Sequence, residues 1–152
     1  MPSFVVTTIR TAEDLRAALD VRTRVFVDEQ HVPIEEEVDA YDREALTRDD
    51  VVYVLGRLDG EPIATARLLL DAHEGLPHIG RVAVLAEHRG QGYGRAVIQA
   101  LHEAARERGY LGVTLAAQLQ ALPFYERLGY VARGPVFLDA GIEHRDMDLR
   151  FD

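Results

Sequence analysis

The 152-residue chain has no cysteine and no lysine, and Ser3 is its single serine. Without cysteine there are no disulfides, thiolate metal sites, redox centres or cysteine nucleophiles. All 17 basic residues are arginine, which excludes the phosphate-binding loop that ends in a lysine and any Schiff-base chemistry. A lone serine and no Gly-x-Ser-x-Gly leave no nucleophile elbow for a serine hydrolase. No apolar run approaches the ~18 residues of a membrane span. Residues 1–6 lack the charged and long apolar segments of a signal peptide, so the cytoplasm is the expected compartment. The six histidines, at 31, 73, 78, 88, 102 and 144, form no i,i+4 pair and no His-Glu-x-x-His, and no metal is expected. Positive charge is scarce as well: 26 acids outnumber the arginines for a net charge of -9, a poor match for nucleic acid or an anionic membrane.

What is present fits one globular domain spanning 1–152, with 47% hydrophobic and 28% charged residues. The acidic excess is concentrated. Residues 28–50 hold ten acids (Asp28, Glu29, Glu35, Glu36, Glu37, Asp39, Asp42, Glu44, Asp49, Asp50) against Arg43 and Arg48, a local net charge of -8.

Residues 3–10 read as a strand. A helix starts at Thr11-Ala12-Glu13-Asp14, a capping hydroxyl followed by acids, and runs through Leu15, Ala18, Leu19, Arg22 and Phe26. Residues 28–50 have little apolar periodicity and read as loop with one short helix around 35–40. Asp59-Gly60 between the apolar runs 51–58 and 62–70 marks a hairpin. A loop over Asp71 to Pro77 leads to a strand from His78 to Leu85. Ala96, Val97, Ala100, Leu101, Ala104 and Ala105 mark an amphipathic helix ending near Gly109. A strand from Gly112 to Ala116, a helix from Leu122 to Leu128, and strands from Tyr130 to Leu138 and Ile142 to Phe151 complete the chain. Hairpins mixed with strand-helix-strand crossovers predict an α/β domain: a mixed, mostly antiparallel sheet with helices on both faces.

Arg89-Gly90-Gln91-Gly92-Tyr93-Gly94 lies between a strand and a helix. Its glycines permit positive φ and close backbone approach, and the helix N-terminus offers unpaired N–H groups to an anion. The dinucleotide spacing G-x-G-x-x-G does not fit, because position 95 is Arg. The pattern Arg89-x-x-Gly92-x-Gly94 resembles the acetyl-CoA loop of the GCN5-related N-acetyltransferases (GNAT). Gly80-Arg81-Val82-Ala83-Val84 is similar to that family's central strand, and Phe124-Tyr125-Glu126-Arg127-Leu128-Gly129-Tyr130 to its last helix. Arg22 to Gln30, Glu37 to Asp42, Ala117-Gln118 and Asp139 to His144 resemble the ElaA-like and YjcF-like subgroup.

That resemblance implies a GNAT fold and acetyl-CoA as acyl donor, with no metal. Backbone groups of Val82, Ala83 and Val84 would bind the pantetheine arm and polarise the acetyl carbonyl. Arg89, Gly90, Gln91, Gly92, Tyr93 and Gly94, with Arg95 in the first helical turn, would hold the pyrophosphate. Tyr125 matches the tyrosine that protonates the departing thiolate; a phenol of ordinary pKa ~10 is a competent donor. An amine acceptor must lose a proton, and Glu37, Asp39 and His78 are the candidates to take it. Each has a plainer reading, a solvated acid in a charge run or a surface histidine. Arg22 and Arg81 would orient an acceptor carboxylate or simply pair with acids.

The leading expectation is transfer of acetyl to a primary amine of a small molecule or peptide by direct attack in a ternary complex. The acidic stretch would form a negative wall of the acceptor cleft. The alternatives are a non-catalytic acyl-CoA-binding module and an enzyme like the acyl-homoserine-lactone synthases. The expected partners are the amine acceptor and, as an option, a second copy of the chain in a homodimer.

Overall fold

In a computed structural model that describes residues 2–70 and 75–152, the chain opens with β1 (Phe4–Thr8) and α1 (Ala12–Arg22). The Thr11 hydroxyl caps α1 by accepting from the Asp14 N–H at 3.2 Å, as the capping signal predicts. The helix then widens into a π-helical stretch, Thr23–Glu29, in which the Gln30 N–H reaches back five residues to the Val25 C=O. At that junction the Thr23 hydroxyl donates to the Leu19 C=O at 2.9 Å, a back-bond that loosens helices. The widened turn keeps Val25 in the core while carrying Phe26 and Gln30 to a cavity.

The acidic stretch contains two four-residue helices, α2 (Ile34–Glu37) and α3 (Ala40–Arg43), where one was expected. Neither is long enough to show an apolar period. The second is set by a capping box, in which the Asp39 carboxylate accepts the Asp42 N–H and the Asp42 carboxylate the Asp39 N–H.

β2 (Val51–Leu58) and β3 (Glu61–Leu69) form the expected hairpin, with Asp59 and Gly60 at φ +50° and +89°. Then follow β4 (His78–Val84), α4 (Tyr93–Glu107), β5 (Gly112–Gln118), α5 (Leu122–Arg127), β6 (Val131–Asp139) and β7 (Ile142–Arg150). Part of the loop expected over 71–77, and His73 with it, lies outside the described residues. Among the described residues the sheet has seven strands in the order β1-β2-β3-β4-β5-β7-β6. β4 and β5 are parallel and the other neighbours antiparallel.

Alternation along β2 separates the faces. Val52 and Val54 pack with Val97, Ile98, Leu101 and Ala105 of α4, whereas Tyr53 and Leu55 pack with Ala18 of α1. Helices therefore cover both faces of a mixed α/β sheet, as expected.

Two irregularities position the site. β4 pairs with β5 only at His78↔Thr114 and Ile79↔Leu115, and the strands part beyond those residues. On its other edge β4 bulges: pairing with β3 jumps from Arg67↔Gly80 to Thr65↔Ala83. Arg81 in the bulge has φ +52°, a conformation that costs a non-glycine residue about 1–2 kcal/mol. The fold therefore holds this residue against its local preference.

Candidate active site

The parted strands open a cavity of about 980 Å³ that runs from the glycine loop, past Tyr125, to α2 and the β6–β7 hairpin. Of the fourteen residues expected to bind the cofactor or to move a proton, twelve line it; Gln91 and Asp39 do not.

At one end, beyond Ile79, the edge of β4 that faces β5 has no strand partner, and Val82, Ala83 and Val84 lie on the cavity wall. Gly90 and Gly92 have φ +79° and +88°, which explains glycine at both positions. Gly92 caps α4 without a side-chain hydrogen bond, so the first-turn N–H groups stay available for an anion. Gly94 packs close: a Cβ there would lie 3.5 Å from Val84 Cγ2 and 3.8 Å from Phe124 Cζ. The Tyr93 ring lies tilted against Phe4, centroids 4.3 Å apart, and packs against the core.

Arg89 is already engaged. It makes a bidentate pair with Glu29 at 2.6 and 2.8 Å, and its Nε donates to the Val84 C=O at 2.9 Å. It braces the glycine loop against the π-helical stretch, and the Glu29 hydrogen bonds raise its pKa. Arg95 is exposed on the first turn of α4 and lines the cavity.

Tyr125 sits midway, edge-on to Phe124 and Tyr130 at 5.0 and 5.5 Å. Burial pushes its phenol up to about 12, so the hydroxyl holds its proton at neutral pH. His78 lines the other end, half-buried. Burial lowers its pKa and the Arg67 and Arg81 charges lower it further, against an opposing pull from Asp146 and Asp139. Its imidazole is therefore neutral near pH 7 and able to accept a proton.

The acidic stretch is not the exposed negative wall that its composition suggests. Glu37 is only 2% exposed. Its Oε1 accepts from Arg22 Nε at 2.9 Å and lies 3.1 Å from Arg81 Nε, while its Oε2 has no hydrogen-bond partner. Asp42 takes two bonds from Arg22 at 2.8 Å, one from Arg67 at 3.0 Å and one from the Tyr53 hydroxyl at 2.6 Å. Burial raises the Asp42 pKa, but Arg22 and Tyr53 more than offset it and the net shift is well downward. Tyr53 is pushed up by burial and by Asp42. Asp39 forms a bidentate pair with Arg67 at 2.9 and 2.6 Å and lies 3.6 Å from Arg81. Three arginines from α1, β3 and β4 thus neutralise three acids of the stretch. Glu29 is paired with Arg89, and Glu44 and Asp50 with Arg48. Arg22 and Arg81 follow the plainer of their two expected roles and pair with acids.

Sequence reasoning missed Arg67 and Tyr53. The signal was there: an arginine inside the apolar run Ile63–Leu70 cannot be buried without a carboxylate partner. Gln30 and Gln118, singled out by the resemblance without a role, hydrogen-bond at 3.0 Å between the π-helical stretch and the end of β5. Among the described residues no cluster of three or more His, Asp or Glu is placed to hold a metal.

The chain belongs to the Acetyltransferase (GNAT) family, whose profile matches residues 15–130. It is 41% identical to the uncharacterised N-acetyltransferase YjcF of Bacillus subtilis over 140 residues, 91% of this chain and 94% of that one. An acyl-CoA N-acyltransferase from Pseudomonas aeruginosa is 35% identical and superposes with a TM-score of 0.82 over 96% of this chain and 99% of that one. Escherichia coli ElaA is 27% identical with a TM-score of 0.82, over 96% and 99% of the two chains. The chain is an acyltransferase of this family, and its similarity extends to the YjcF and ElaA subgroup expected from the sequence.

Proposed function

We propose that the protein transfers an acetyl group from acetyl-CoA to a primary amine of a small molecule or peptide, both substrates being bound together. The observation that carries this reading is the free β4 edge at Val82–Val84, set between the α4 N-terminus and Tyr125. The N–H groups of Gly90 to Arg95 receive the pyrophosphate. Val82, Ala83 and Val84 hydrogen-bond the pantetheine arm through main chain and polarise the thioester carbonyl. Positioning the two reactants supplies much of the rate, since no covalent enzyme intermediate is formed.

The amine nitrogen attacks the thioester carbon; the C–N bond forms and the C–S bond breaks. The amine proton passes to neutral His78, and the departing thiolate takes its proton from Tyr125. Glu37, held through Oε1 by two guanidinia, keeps Oε2 as an acceptor for an N–H of the incoming amine. No step needs a metal.

The test is to incubate the protein with acetyl-CoA and a panel of primary amines and to follow free thiol. Amine-dependent thiol release supports the reading. Binding of CoA with no turnover on any amine would favour a non-catalytic acyl-CoA-binding module, and no CoA binding at all would refute both.

A further inference from the structure

Two carboxylates at the acceptor end of the cavity have no counter-charge among the described residues. Glu36 stands exposed on α2, on the β4 side of the cavity. Asp139 stands exposed at the end of β6, on the β5 side. Arg81, which shares the wall with Glu36, is committed. It pairs with Glu37 and Asp39 and donates to the main-chain oxygens of Glu36 and Glu37 at 3.4 and 3.0 Å. The Arg22, Arg67 and Arg81 charges are balanced by Glu37, Asp39 and Asp42, so Glu36 and Asp139 leave this end of the cavity net negative.

A second, independent feature lies in the same wall. Glu37 Oε2 is buried and lacks a donor, although Oε1 of the same carboxylate is engaged by two guanidinia. A buried carboxylate oxygen without a donor is costly, and an N–H arriving with a substrate supplies one. The Asp139 charge is also felt at His78, where the amine proton is proposed to go.

We infer that the acceptor carries, besides the amine that is acetylated, a second cationic group, an aliphatic diamine being the simplest such molecule. Glu36 and Asp139 hold the second charge, and Glu37 Oε2 accepts one of the acceptor's N–H bonds. This rests on the transfer reading above and narrows its acceptor to dications. A zwitterion is disfavoured because the guanidinium its carboxylate would seek is already paired.

The experiment compares three acceptors of equal chain length with acetyl-CoA: putrescine, n-butylamine and γ-aminobutyrate. Putrescine is expected to exceed n-butylamine in kcat/KM by roughly 10- to 100-fold, the worth of one or two charge-assisted contacts. γ-Aminobutyrate is expected to be the poorest. In the variant combining Glu36→Gln and Asp139→Asn, its fold checked by circular dichroism, the ratio of putrescine to n-butylamine should shrink to within about threefold. Equal efficiency for putrescine and n-butylamine in the wild-type protein, or a preference for γ-aminobutyrate, overturns the inference. If no amine turns over, calorimetric titration of the CoA-loaded protein decides. Tighter binding of putrescine than of n-butylamine sustains the dication site while the transfer reading falls; equal binding overturns both.

Discussion

The two ends of the cavity are built from different materials. The end proposed for the cofactor is main chain: a free strand edge, two glycines at positive φ and the first turn of α4. The end proposed for the acceptor is side chain: three arginines and three acids drawn from α1, the α2–α3 stretch, β3 and β4. Backbone donors are present whatever the side chains, so the cofactor end tolerates variation wherever glycine geometry is kept. The acceptor end depends on every partner, because removing one buried charge strands another. The first arrangement suits an invariant ligand such as a diphosphate; the second suits selection among acceptors.

The largest expected effect tests the acceptor end. Arg22→Met leaves Glu37 and Asp42 without their main cation and should cost about 3–5 kcal/mol of stability in urea unfolding. Arg22→Lys should recover only part, because one ammonium cannot fork between two carboxylates. An unchanged unfolding midpoint in Arg22→Met would show that the network does not support the fold.

At the cofactor end, Gly92→Trp places a bulky side chain where the ligand must approach the N–H groups. A Cβ at this position meets nothing within 4 Å, so the fold should bear only the left-handed backbone cost of about 1–2 kcal/mol. CoA affinity should fall by roughly 100-fold, the worth of a few lost hydrogen bonds to a charged group. Calorimetric affinity within a few-fold of wild type would remove the loop from the cofactor site.

A buried group outside both ends serves as a control. His102 hydrogen-bonds the Tyr130 hydroxyl at 2.6 Å, and burial, with Arg106 nearby, holds its pKa down to about 4 from 6.5. The folded state thus binds fewer protons than the unfolded state between those values, and stability falls as pH drops through that window. The loss is about 3 kcal/mol from this group at ~1.4 kcal/mol per pKa unit, and His78 adds to it with the same sign. His102→Gln should flatten the acid limb of a stability–pH profile; an unaltered slope would assign acid sensitivity to the ion network instead.

The smallest effect separates chemistry from binding midway along the cavity. Tyr125→Phe should lower kcat at least 10-fold while leaving CoA affinity nearly unchanged. Parallel loss of both would make Tyr125 a packing residue.

The β2–β3 hairpin was legible because Asp59-Gly60 is a local turn signal between two β-branched runs. The glycine loop was legible because its geometry is local as well: Gly90 and Gly92 take positive φ where the chain turns into α4. The helices α2 and α3 were only half legible, since a single turn shows no period and theirs are held by a capping box and distant arginines. The Arg81 bulge and the π-helical stretch gave no signal at all, because both are conformations that the surrounding sheet and helix impose on ordinary residues.

The charge that first stood out, -8 within residues 28–50, shows where the division falls. By itself the sequence determined the family, the glycine-rich strand-to-helix turn and the order of the strands and longer helices, since each is encoded in residues adjacent along the chain. Only the tertiary structure decided that Glu37, Asp39 and Asp42 are paired with Arg22, Arg67 and Arg81, while Glu36 and Asp139 stand exposed on the cavity wall. Coulomb attraction and the cost of burying a charge act over distances of a few ångströms in space, and those distances exist only once the chain has folded.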